Sequence, residues 1–247
     1  KARTCANGST QRVYTTKEEA ASPTVMVESI LLTATIEAKE NRDVMTADIP
    51  NAFIQTDMES VDGERLIMKI RGALVDMLVE MDPETYSEYV VPGDKGNVLY
   101  VQVLKAIYGM LKSSLLFYKK LCKDLIEIGF VINPYDQCVA NRVIEGKQQT
   151  VTYHVDDLKS SHVDPKVNDK FLQWLEMKYG DAEIGKVKAV RGKRHDYLAM
   201  ILDYSFPGVV KVDMTNYVKQ MVEDFPEQVQ NSTYPWNENL FKVDSQS

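Results

Sequence analysis

The spacing of apolar positions changes repeatedly along this chain, and each change marks an element. In "SPTVMVESILLTATIEAKENRD" the apolar residues Val27, Ile30, Leu31, Ala34 and Ala38 recur at helical spacing. With Ser22 as N-cap and Pro23 at the first helical position, a helix is predicted to about Glu40. "RDVMTADIP" then switches to a period of two: Val44, Thr46 and Asp48 point one way, Met45, Ala47 and Ile49 the other. That is a strand whose polar face ends in a carboxylate and which Pro50 stops.

Further along, "ERLIMKI" reads as a strand, "GALVDMLVEM" as a short helix, and "PGDKGN" as a turn before the strand "VLYVQV". "SSLLFYKKLCKDLIEIGF" predicts a long helix with a wide apolar stripe of Leu115, Leu116, Tyr118, Leu121, Cys122, Leu125 and Ile126, closed by Gly129. "QCVANRV" and "QQTVTYHV" predict a hairpin across "IEGK". Asp164, Pro165 and Gly180 punctuate a helix in "DPKVNDKFLQWLEMKYG". "DYLAMILDYS" and "GVVKVDM" predict two strands and "TNYVKQMVEDF" a last helix. The fold class is therefore α+β, with antiparallel strands backed by long helices.

Composition narrows the function classes. The hydrophobic share of 44% and charged share of 26% are those of a globular protein, and no apolar run is long enough to span a bilayer. The first residue is not Met, so a fragment of a longer polypeptide is expected. Cys5, Cys122 and Cys138 form no CxxC pair, which argues against a zinc site and a disulfide framework. A net charge of −7 leaves nucleic-acid binding to local basic patches. One is "GKVKAVRGKRHDY", which reads equally well as a solvated charged loop.

The candidate chemistry lies in "TVTYHVDDLKSS". Alternation puts Thr150, Thr152, His154 and Asp156 on one face of a strand, with Asp157 following. If the strand carrying Asp48 belongs to the same sheet, three carboxylates meet and repel each other unless cations neutralise them. Hard divalent ions suit such a site, and two of them can serve an in-line phosphoryl transfer. An adjacent Asp pair is equally a turn former, so the residues alone leave both readings open.

"DIPNAF", "AIYGMLKSSLLFYKKL", "GFVINPYDQCVANRV", "YHVDDL" and "HDYLAMILDYS", in this order, resemble the reverse transcriptase of copia-type retrotransposons. The resemblance runs from Lys1 to about Phe241. It implies a polymerase palm-like antiparallel sheet backed by helices, with a remnant of the fingers over 1–22 and the palm over 23–205. It further implies a finger-like insertion at about 58–100 and the start of a thumb over 206–247. In the family the matching aspartates hold two Mg²⁺ or Mn²⁺ ions, so Asp48, Asp156 and Asp157 are the implied catalytic residues, with the Ile49 carbonyl a further metal ligand.

By the same resemblance Phe53 is the steric gate under the incoming sugar, and Lys112, Lys1 and Arg3 meet the deoxynucleoside triphosphate. Tyr108, Gly109, Ser113, Tyr197 and Leu198 are the implied template and primer contacts. The implied partners are an RNA or DNA template-primer and the rest of a polyprotein with integrase and ribonuclease H, in a cytoplasmic virus-like particle or the nucleus. The sequence departs from the family pattern at Lys112 and Ser114, at His154, and at "YLA", where the family reads "FLG". Those departures and the acidic charge support an alternative from another class, a domain kept as a structural or protein-binding module.

Overall fold

The structure, a computed structural model, describes residues 5–58, 65–181 and 185–226. Its centre is a six-stranded antiparallel sheet. From edge to edge run β5 (Val131–Ile132), β6 (Val139–Ile144), β7 (Lys147–His154), β8 (Asp157–His162), β1 (Asp43–Asp48) and β9 (Lys188–Gly192). The short α1 (Lys17–Ala20) precedes α2 (Val27–Lys39), and α5 (Ser113–Glu127) and α6 (Pro165–Tyr179) are the other long helices.

One face of the sheet carries Met45, Ala47, Val151, Tyr153 and Leu158, all buried, and α5 and α6 cover it. Tyr153 Oη lies 3.2 Å from Cys122 Sγ on α5, and Ser160 Oγ donates to Asn168 on α6 at 2.8 Å. Tyr179 Oη donates to the Asp124 carboxylate at 2.6 Å, tying the two helices together. The other face is also largely buried but polar. Lys159 donates to Thr33 and Glu37 of α2, and Arg42 reaches Thr150. A second sheet, β10 (Arg194–Tyr197), β11 (Met200–Asp203) and β12 (Lys211–Asp213), packs here through Tyr197 Oη on Thr152 at 3.2 Å and His195 on Thr46 at 3.4 Å.

A third sheet stands apart in the order β2 (Ile67–Arg71), β4 (Gly96–Gln102), β3 (Val91–Gly93), with α3 (Ala73–Met81) and α4 (Pro83–Tyr86) between its strands in sequence. α7 (Thr215–Glu223) ends the described chain and has no buried residue. No described helix is long and apolar enough to cross a membrane.

Four expectations change. α2 begins at Val27 rather than Pro23, because the Met26 N–H is taken by the Asp136 carboxylate at 3.0 Å. The core face of α5 is Phe117, Leu121 and Leu125, while Ile126 of the expected stripe is exposed. "DYLAMILDYS" is a hairpin, not one strand: Leu198 and Ala199 adopt φ of 51° and 63° and turn the chain between β10 and β11. The basic stretch is not a loop but β9 and β10, and Arg191 there is paired with Asp43 and Asp169.

Candidate active site

The VDD stretch does not end a strand; it turns between two. β7 stops at His154, Val155 and Asp156 form the turn, and Asp157 opens β8. Thus His154 faces Asp157 across the hairpin, and Asp156 leaves the strand face that simple alternation would give it. Val155 has φ of 57°, a left-handed conformation that costs a β-branched residue about 1–2 kcal/mol. Its side chain packs against the core, which helps hold it there. The Ile49 N–H donates to the Asp156 carbonyl at 3.1 Å, so the tip of the hairpin is tied to the end of β1.

That tie sets the register. Asp48 lies directly opposite Asp157 across β1 and β8, and Lys188 lies opposite Asp48 on the other side. Directly opposed residues of antiparallel strands share a face, so His154, Asp157, Asp48 and Lys188 form one row across four strands. Two carboxylates at its centre oppose each other and are flanked by a histidine and a lysine. Partial burial, then the charges of Asp156 and Asp48, raise the Asp157 carboxyl above its ordinary value, and His154 acts against them. Asp157 therefore feels both of the other carboxylates at this strand end.

The other expected residues gather around the same end to different degrees. Beyond Asp48 the chain passes Pro50 and Asn51 into a 3-10 turn, Ala52–Gln55, braced by Gln55 Nε2 donating to the Pro50 and Tyr179 carbonyls at 2.8 and 3.0 Å. Phe53 on that turn is half-buried, its ring 4.6 Å from that of Tyr108 and 6.5 Å from that of Phe117. Gly109 has φ of 88°, and a Cβ there would collide with the Ala6 carbonyl. Ala6 N–H donates to the Tyr108 carbonyl at 2.7 Å and Gln11 accepts from Leu111 N–H at 2.9 Å, so residues 6–11 clasp the loop carrying Tyr108.

Lys112 is half-buried at the N-cap of α5. Ser113 is buried and donates its hydroxyl to the Ile107 carbonyl at 2.7 Å, a bond that closes the loop. Tyr197 is buried on the carboxylate face, and Leu198 occupies the tip of its hairpin. Lys1 and Arg3 lie outside the described residues.

Sequence reasoning overlooked two groups. Lys188 was lost in the basic run, although it starts a strand that pairs with β1. Lys159 lies two residues beyond Asp157 on the same face, where alternation from Asp157 points it inward; its side chain is 0% exposed and pairs with Glu37 at 2.5 Å.

Among the described residues no three His, Cys, Asp or Glu side chains are gathered to hold a metal ion. What the site offers is narrower: opposed Asp48 and Asp157 with Asp156 beside them, oxygen donors whose repulsion a cation relieves. This set fits Mg²⁺ or Mn²⁺, ions that take one or two protein carboxylates and fill the remaining positions with water and substrate phosphates.

The family model described as reverse transcriptase (RNA-dependent DNA polymerase) matches residues 1–235. No curated protein matches the sequence. Among solved structures, the telomerase of Candida albicans in complex with a telomeric RNA fragment is similar at 11% identity and a TM-score of 0.40. The apo telomerase of Candida tropicalis is similar at 12% identity and a TM-score of 0.41. The matches cover 77% and 78% of this chain and 36% of each telomerase chain, so it spans about a third of their length. With the family model matching nearly its whole length, the chain belongs to the reverse transcriptase (RNA-dependent DNA polymerase) family.

Proposed function

We propose that this chain is the polymerase part of a copia-type reverse transcriptase, adding deoxynucleotides to a primer 3′-hydroxyl on an RNA or DNA template. The six-stranded sheet serves as a palm, residues about 58–100 as a finger-like insertion, and the chain from 206 as the start of a thumb. The observation that carries the reading is the Asp48–Asp157 register with Asp156 in the adjoining turn. A scaffold gains nothing from opposing two carboxylates, which destabilise a strand pair.

In this reading Asp48, Asp156 and Asp157, with the Ile49 carbonyl, hold two divalent ions. When bound, such ions neutralise charge on the attacking and leaving oxygens of an in-line transfer. The protein's own part is positioning and fixed electrostatics. Phe53, backed by Tyr108 and Phe117, places an aromatic edge five residues beyond Asp48, where it excludes a 2′-hydroxyl. Tyr108, Gly109 and Lys112 lie along the loop facing template and nucleotide, and Lys1 and Arg3 take the triphosphate. The Tyr197–Leu198 hairpin, hydrogen-bonded to β7, supports the primer end. The remaining polyprotein, with integrase and ribonuclease H, is its assembly partner in a particle or the nucleus.

Primer extension on RNA and DNA templates with Mg²⁺ or Mn²⁺ tests the reading. The wild type extends, and Asp156→Asn loses extension while its urea midpoint stays equal or rises, since a repulsive charge is gone. Loss of stability in Asp156→Asn would return the residue to a structural role. A second reading, a domain kept for protein binding, is favoured by the lack of three gathered metal ligands among the described residues. It predicts no extension with either metal, and co-purification of a protein partner that Asp156→Asn does not release.

A further inference from the structure

The helix-covered face of the main sheet holds a cavity at the end away from the carboxylates. Its volume of about 530 Å³ is that of a small-ligand site, and it lies between the outer strand β6, Ile128 at the end of α5, and α6. β8 runs from Asp157 to His162 before α6 begins, so about 17 Å of strand separates the cavity from the Asp157 row. Lys166, Lys170 and Trp174 follow one another at four-residue steps along α6 and share one face, while Arg142 lines the opposite wall from β6.

Arg142 is fixed in place by neutral groups. Its Nε donates to Gln149 Oε1 at 2.7 Å and its Nη1 to the Ile128 carbonyl at 2.9 Å, and the guanidinium lies 4.5 Å from the centre of the Phe130 ring. Burial lowers its pKa and no opposite charge acts against that shift. Among the described residues Arg142, Lys166 and Lys170 form no ion pair. Two acids also line the cavity: the Asp164 carboxylate is engaged in capping α6, accepting from the Lys166 N–H at 3.0 Å, and Glu145 stands exposed in the β6–β7 turn. The walls therefore carry one positive charge in excess, beside the positive end of the α6 dipole. Beneath the cations the floor is aromatic, with Phe130 5.8 Å from Phe171, whose ring stacks on Trp174 at 5.5 Å and 16°.

We infer that this cavity binds a small aromatic phosphate of mononucleotide size, its phosphate on Arg142, Lys166 and Lys170 and its planar body against Trp174. A guanidinium already held by neutral partners keeps an unneutralised charge for an anion and needs no reordering to use it. Phosphate offers three acceptor oxygens to three converging cations, more than a carboxylate can. A planar body extends the Phe171–Trp174 stack, which an aliphatic one cannot do. The site stands apart from the polymerase reading, because it uses neither the carboxylates nor their ions.

The test is isothermal titration calorimetry of the full chain with adenosine 5′-monophosphate, in EDTA so that the carboxylate site takes no part. One site with a Kd of about 10–100 µM is expected for a ligand of that size. Adenosine and ribose 5-phosphate, which each lack one part of the ligand, bind about tenfold more weakly or worse. Lys166→Gln/Lys170→Gln, at two exposed positions, leaves the melting temperature unchanged or raised and weakens binding about fivefold or more. Arg142→Lys keeps the charge, loses the fork and weakens binding about tenfold.

No saturable binding of the nucleotide up to about 1 mM overturns the site, and so does an unchanged affinity in Lys166→Gln/Lys170→Gln. Adenosine or ribose 5-phosphate binding as tightly as the whole nucleotide also overturns it, because the site then does not read both parts. Binding that disappears in Asp156→Asn places the ligand at the carboxylates instead and discards the cavity, whereas binding kept in Asp156→Asn and weakened in Lys166→Gln/Lys170→Gln supports it.

Discussion

Replacing Lys159 with Met tests what holds the carboxylate strands in place. Lys159 follows Asp157 by two residues on β8, and its row, Thr152–Lys159–Thr46, lies directly beneath the His154–Asp157–Asp48 row. Its ammonium has no solvent contact and donates to Glu37 at 2.5 Å and Thr33 at 3.2 Å; Glu37, 2% exposed, accepts Tyr204 Oη with its other oxygen. Burial pushes the Lys159 pKa down and the Glu37 charge opposes that shift. Lys159→Met removes the cation and keeps the volume, leaving Glu37 a buried charge with one hydroxyl donor. Breaking such a pair costs about 3–5 kcal/mol, a large part of a domain stability of about 5–15. Adding Glu37→Leu removes the orphaned charge and leaves the Tyr204 hydroxyl to be satisfied, about 1–2 kcal/mol, while Thr33 keeps its bond to the Ile30 carbonyl. The double variant should therefore be more stable than Lys159→Met alone by about 2 kcal/mol or more. Urea unfolding of the four proteins of the cycle measures this coupling. A single substitution costing less than about 1 kcal/mol, or a double variant no better than the single, would refute the argument.

Ala199→Gly should stabilise the chain by about 1 kcal/mol, because Ala199 sits at φ of 63° where a Cβ is penalised; an unchanged urea midpoint would deny the strain. Asp124, buried yet bound by Lys120, Lys178 and Tyr179, has its pKa lowered overall, its hydrogen bonds outweighing burial. A depressed carboxyl pKa gives stability that is present above about pH 3.9 and fades as pH falls through the folded value. Asp124→Asn should therefore cost about 2 kcal/mol at pH 7 and progressively less below pH 4, as measured by melts across pH. Phe53→Ala should cost about 2 kcal/mol in stability and raise ribonucleotide over deoxynucleotide use in single-nucleotide incorporation; an unchanged ratio would make Phe53 a packing residue alone.

Elements with one clear period were legible. β1, α5 and α6 follow from spacing and punctuation; Asp48 and the VDD stretch do share a sheet, but that stretch is the turn into β8 rather than the acidic end of a strand, and the residue opposite Asp48 is Asp157, not Asp156. β8 was not legible, because "LKSSH" has no apolar alternation: Lys159, Ser160, Ser161 and His162 are all buried, and only the structure shows Glu37 beside Lys159 and Asn168 beside Ser160. β9 was hidden for the opposite reason. Arg191 looks like solvated charge until Asp43 and Asp169 are placed beside it. The β10–β11 turn has no Gly, Asn or Asp at its two left-handed positions, so nothing local announces it; Tyr197 on Thr152 and Tyr204 on Glu37 hold its two strands from outside.

Those same long-range bonds explain how a sheet can keep a polar face buried next to its carboxylate end. Each polar side chain of the second row meets a group from α2 or from the β10–β11 hairpin: Lys159 with Glu37, Thr46 with His195, Thr152 with Tyr197. Moving the hairpin therefore exposes or orphans several buried groups at once, each at a cost of about 1–3 kcal/mol. The hairpin is thus held in one position relative to β1, β7 and β8, while the first row, Asp157 and Asp48, stays accessible at the open end. Rigid support directly behind exposed, mutually repelling carboxylates is what positional catalysis requires, since the opposed charges alone would drive the strand ends apart.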